Sequence, residues 1–124
     1  MHTMIRSGQP RELLALIPYQ LGFVPQDSAV VVSVRADATA GLVARVDTDD
    51  LASSTHGPHV ARTLAGHLGA DGATHVVLVL YGRHDVRSAP GREVDRAAAA
   101  RRHLEAALAA ARGGLTVWAV TGTG

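Results

Sequence analysis

The stretch "LLALIPYQLGFVPQDSAVVVSV", Leu13 to Val34, decides how this chain is read. Its first half has helical spacing: Leu13, Leu14, Ile17 and Leu21 fall on one face. Pro10 suits the first turn of that helix, where a missing N–H costs nothing. Pro18 removes a donor in mid-pattern and predicts a kink or an end. Gly22 is placed as the C-cap, with Phe23 folding back as its apolar contact. Val24-Pro25-Gln26-Asp27 reads as a turn with proline at its second position. From Ala29 to Arg35 the chain becomes a valine-rich strand, apolar at both parities, as expected of a strand covered on both sides.

Further strands follow at Leu42 to Val46, Thr74 to Tyr81 and Leu115 to Val120. The short link over Asp37 to Gly41 makes the first two an antiparallel hairpin. A second helix opens at Pro58 and carries Val60, Ala61, Leu64 and Leu68 on one stripe. A third runs to about Arg112, with Ser88 as its cap and Val94, Ala97, Ala98, Leu104, Leu108 and Ala111 inward. The order is α-β-β-α-β-α-β. Helix-bridged strands are expected to run parallel. The predicted fold is therefore α/β: a mixed, mostly parallel four-stranded sheet with three helices.

The chain of 124 residues is read as a single α/β domain, complete or the N-terminal part of a longer protein. There is no cysteine, which excludes disulfides and Cys-based zinc sites and fits a reducing, cytoplasmic setting. "MHTMIRSGQP" has no apolar h-region, and the run Val76 to Tyr81 is far too short to span a membrane. All 12 basic residues are arginine, and the net charge is only +1. Arginines alternate with acids, as in Arg92-Glu93 and Asp95-Arg96, the pattern of a solvated mixed-charge face. No concentrated basic face or aromatic platform favours a nucleic-acid partner.

Leu13-Leu14, Ile17-Pro18-Tyr19, Leu21-Gly22-Phe23, Pro25, Asp27-Ser28 and Val30-Val31-Val32 resemble the signature of an actinobacterial family, the domain of unknown function (DUF) 4192. The resemblance carries no activity, so it transfers no catalytic residue. It implies a longer protein, with a portion following the fourth strand.

The strand-end edge is where chemistry is expected. A first strand antiparallel to the others starts where they end, and ligands of open α/β sheets bind beyond the carboxyl ends of strands. That edge is expected to gather Asp27, Ser28, Asp47, Arg83, His84 and Asp85, with Thr48, Asp49, Thr121 and Thr123 nearby. Asp27 has a plainer reading as a turn residue bonding nearby N–H groups. Arg83-His84-Asp85 is the best constellation, because histidine titrates near neutrality, but charged loops are commonplace. Asp47-Thr48-Asp49-Asp50 offers oxygen ligands for Mg²⁺ or Ca²⁺, yet lacks a calcium-loop pattern, and capping of a short helical turn explains it better. His56 and His59 lack a third metal ligand. Gly122-Thr123-Gly124 lacks the helix a dinucleotide loop needs. No cofactor or metal is nominated.

The favoured function is a binding or protein-interaction module. The alternative is a small hydrolase or transferase acting through Asp27, Asp47 and His84. The fourth strand, apolar on both faces with Trp118, lacks a blocking Lys or Pro. Self-association, or cover by a missing C-terminal portion, is the expected partner.

Overall fold

The computed structural model describes residues 17–23, 27–37, 39–82, 90–110 and 114–120, with side chains for all but 90–94, 110 and 114–120. Helix α1 occupies residues 17–21. It is followed by β1 (Ser28–Arg35), β2 (Ala40–Asp47), α2 (Thr48–Ala52), α3 (Gly57–Ala70), β3 (Ala73–Tyr81), α4 (Pro90–Ala110) and β4 (Gly114–Val120).

The sheet order is β2-β1-β3-β4. β1 is antiparallel to β2, as the short link requires, and also antiparallel to β3. Among the described residues only β3 and β4 pair in parallel. The expectation of a mostly parallel sheet is thus wrong: β2-β1-β3 is an antiparallel three-stranded unit, with β4 added in parallel. β2 and β3 do point the same way, but β1 lies between them, so they are not neighbours. Composition explains who takes the middle. β1 is buried from Ser28 to Ser33, whereas β2 carries Arg45 and Asp47, both exposed, and goes to the edge.

The expectation of three helices is also corrected. Four occur among the described residues, because Thr48–Ala52 forms α2 between β2 and α3. Asp49 and Asp50 sit in its first turn, where carboxylates complement the partial positive charge of a helix N-terminus. Leu51 is fully buried and makes so short a helix worth forming.

Both faces of the sheet are covered. Ala29 and Val31 of β1, with Val76, Leu78 and Leu80 of β3, meet α2, α3 and α4 through Leu51, Leu64, Leu68, Leu104 and Leu108. Val30 and Val32, with Val77, Val79 and Tyr81, meet Ile17 of α1, and Leu21 packs beside them. Each such aliphatic side chain contributes roughly 1.5–3 kcal/mol by leaving water. Pro18 does not end α1: the helix runs on to residue 21, and the Gly22 N–H donates to the Pro18 carbonyl at 2.8 Å. A kink at the preceding turn, and the packing of Leu14, lie outside the described residues. Gly22 closes α1 with φ +82°, the left-handed geometry a glycine C-cap supplies. Phe23 does not fold into the core; it is 51% exposed.

Candidate functional site

Strand register brings the predicted edge together. Ser28 pairs with Asp47 on one side and Tyr81 on the other, and Tyr81 pairs with Val120. The start of β1 therefore lies beside the ends of β2, β3 and β4. Backbone bonds seal the corner: the Asp27 N–H donates to the Gly82 carbonyl at 3.2 Å, and the Thr48 N–H to the Asp27 carbonyl at 3.4 Å. Asp27 holds φ +49°, a left-handed conformation that aspartate visits more readily than most residues. Its plainer reading as a turn residue and its place at the edge are thus compatible.

Two arginines organise this edge. Arg96 reaches down from α4 and bridges Asp27, at 2.6 Å, and Asp49, at 2.5 Å. Its side chain is only 13% exposed, so it is not the solvated surface charge that the Asp95-Arg96 pattern suggests. Arg45 of β2 donates from Nε to Ser28 Oγ at 2.9 Å and from Nη2 to Asp47 at 3.0 Å. Its guanidinium also lies 5.9 Å from the centre of the Phe23 ring, within cation–π range. Asp27, Asp47 and Asp49 thus each meet an arginine. Thr48 Oγ1 is buried here and finds no hydrogen-bond partner among the described residues. Burial pushes the Tyr81 phenol up.

Asp27, Ser28 and Asp47 are therefore brought into one cluster, and Thr48 and Asp49 join it. Arg83, His84, Asp85, Thr121 and Thr123 lie outside the described residues. His56 and His59 are exposed at the start of α3. No group of three or more His, Cys, Asp or Glu residues suited to a metal occurs among the described residues. Sequence reasoning missed Arg45 and Arg96 as organisers. An arginine alternating with apolar residues in a strand, and one buried in an alanine-rich helix, give no local signal of their partners.

A second polar cluster, also missed, sits at the opposite end of the sheet. Asp71 follows α3 and turns its carboxylate onto the β1–β2 pair. It accepts from the Ser33 hydroxyl, from the Leu42 N–H at 2.9 Å and from Arg35 Nη2 at 2.9 Å. Ser33 is fully buried at a β-bulge, where Gly41 and Leu42 together oppose it between the pairs Val32–Val43 and Val34–Ala40. The Ser33 hydroxyl, then the Leu42 amide, then Arg35 hold the Asp71 carboxyl down at about 2. Donors aimed at the charged form account for that direction. A Cβ on Gly41 would overlap the Asp71 carboxylate, so glycine is required there by close approach. The donors that meet the Asp71 carboxylate come from β1 and β2 and tie both strands to the end of α3, which makes the cluster a structural clamp.

Among the described residues no helix is long and apolar enough to cross a membrane. No curated protein matches this sequence, and no solved structure does. Residues 10–123 match the family described as "Domain of unknown function (DUF4192)". With nearly all of its length matched, the chain belongs to the DUF4192 family.

Proposed function

We propose that this domain is a protein-interaction module, working in the cytoplasm, whose partner is a second copy of the chain. The carrying observation is the state of the strand-end edge. Among the described residues, its Asp27, Asp49 and Asp47 are engaged by Arg96 and Arg45, which suits a rigid contact surface better than a set of poised acids and bases. Phe23, beside Arg45 at that edge, and Tyr19 are large hydrophobic residues left 51% and 78% exposed. They lie four residues apart, one turn along α1 and its cap, and Arg45 stacks near Phe23. Aromatic and arginine side chains are the residues that most often anchor protein interfaces.

Light scattering across a wide concentration range tests this reading. The expected result is a mass that rises toward twice the chain mass, with the rise weakened in a Tyr19→Ser, Phe23→Ser variant. A strict monomer throughout would sink it.

One observation favours a second reading, a small hydrolase or transferase centred on Asp27, Asp47 and His84. Asp27 pays for a left-handed backbone, and such local costs gather at functional sites; Thr48, whose buried hydroxyl has no partner among the described residues, bonds it through the backbone N–H. Turnover of chromogenic ester or phosphoester substrates that disappears in Asp27→Asn would favour this alternative.

A further inference from the structure

The open edge of β2 is the surface on which the interaction reading can be made specific. β2 is eight residues long and, among the described residues, pairs with β1 alone. Leu42, Val43, Ala44 and Val46 remain half-buried along it. An edge strand of this length is normally blunted by lysine, proline or an outward charge. The chain has no lysine, and β2 has no proline. Its charge within the apolar stretch, Arg45, is folded back: Nε bonds Ser28 on β1, and Nη2 bonds Asp47. The guanidinium, though exposed, therefore lies over the sheet face toward β1, and among the described residues no side-chain charge is seen to cross the outward edge of the apolar stretch.

The hydrogen-bonding parity of this edge follows from one contact. Beyond the bulge at Gly41 and Leu42, the Thr48 N–H points inward, to the Asp27 carbonyl on the β1 side, at 3.4 Å. Amide direction alternates along a strand, so Ala44 and Val46 also point inward, while Val43 and Arg45 point outward. We infer that β2 pairs antiparallel with β2 of a second copy about a two-fold axis through Ala44, joining two sheets into one of eight strands. The inference rests on the interaction-module reading above.

That register is self-consistent. Val43 faces Arg45 of the second copy, and the outward N–H and C=O groups of these residues exchange bonds. Ala44 faces its own copy as the close, non-hydrogen-bonded pair. Leu42 faces Val46 of the second copy on the face that carries α2, α3 and α4. The two Arg45 residues lie diagonally, but each is held by its own Asp47 and Ser28, so like charges are not driven together. Pairing β2 with its own copy also closes the assembly. Pairing it with β4 of another copy would be heterologous and would propagate.

A natural absence makes the test sharp, since the wild-type chain has no cysteine. In Ala44→Cys the single thiol should meet its counterpart across the axis. A non-hydrogen-bonded pair separates Cα atoms by about 4.5 Å, within the roughly 4.4–6.8 Å that a disulfide spans. Mild oxidation should convert most of the full chain to a covalent dimer, while Arg62→Cys, exposed on α3, should stay largely monomeric. Val43→Pro removes an outward N–H and leaves the β1 ladder intact; with its circular dichroism unchanged, it should raise the dimer dissociation constant at least tenfold. If wild type dimerises but the Ala44→Cys variant does not cross-link selectively, the β2 pairing is overturned and the interaction reading stands. If wild type never dimerises, both fall.

Discussion

Asp71 shows what a single carboxylate does in this fold. Its partners come from β1, from β2 and from the bulge between them, so one side chain at the end of α3 fixes the hairpin register. Its folded pKa, about 2, lies below the ordinary 3.8. The contribution is therefore fully present above about pH 4 and is lost as pH falls through about 2. The shift corresponds to on the order of 2 kcal/mol. Urea midpoints measured between pH 5 and 2 should fall for wild type and fall less steeply over the same window for Asp71→Asn, which begins less stable. Equal slopes would remove Asp71 as the cause. Gly41→Ala should cost about 1–3 kcal/mol, because its Cβ overlaps a carboxylate that cannot swing away without releasing Arg35 and Leu42. None of this was legible in the sequence. "LGADGA" reads as a helix stop, and Asp71 there looks like an ordinary turn residue, because its partners lie 29 to 38 positions away.

At the scale of elements, periodicity found the strands and the long helices, and it failed where two elements compete for one neighbour. β1 was recognisable as covered on both sides from its unbroken apolarity, and Ala29 to Val32 are at most 1% exposed. What its pattern did not say is that two antiparallel partners would flank it, displacing the helix-bridged neighbours from each other. α2 was foreseen only as a short helical turn at Asp47 to Asp50, because five residues carry too little periodicity to register as a helix. The packing of α4 shows a division of labour. Ala100, Leu104 and Leu108 face the core, while Arg96 ties the N-terminal half of the helix to Asp27 and Asp49. Asp49 is more than half exposed, so its pair contributes little; the nearly buried Arg96 and half-buried Asp27 carry more. Arg96→Met should therefore cost about 1–3 kcal/mol and Asp49→Asn under about 1 kcal/mol, read as chemical-denaturation midpoints. Equal costs would mean that Arg96 acts through Asp49 or through packing alone. On the opposite face, Ile17→Ala should cost about 2–5 kcal/mol, since Ile17 is fully buried against Val30 and Val79.

Across the whole molecule, stability should grade from the middle of the sheet outward. β1 and the second half of β3 are buried on both faces, so their amides open only with the whole domain. β2 has one neighbour among the described residues and mostly half-buried side chains, so its amides are released by smaller, local openings. Within β2 the gradation should alternate. The inward amides of Leu42, Ala44 and Val46 exchange slowly, and the outward amides of Val43 and Arg45 exchange fast in the free protomer. Raising the protein concentration supplies the second copy, and mass action then protects the outward amides alone. The inward ones already have partners and should change little. Hydrogen exchange followed residue by residue at two concentrations thus separates fold from assembly in one measurement. Selective, concentration-dependent slowing at Val43 and Arg45 is expected. Uniform slowing along β2 would mean that association merely stabilises the domain as a whole. Slowing confined to Leu115, Val117 and their neighbours in β4 would move the interface to the other edge of the sheet.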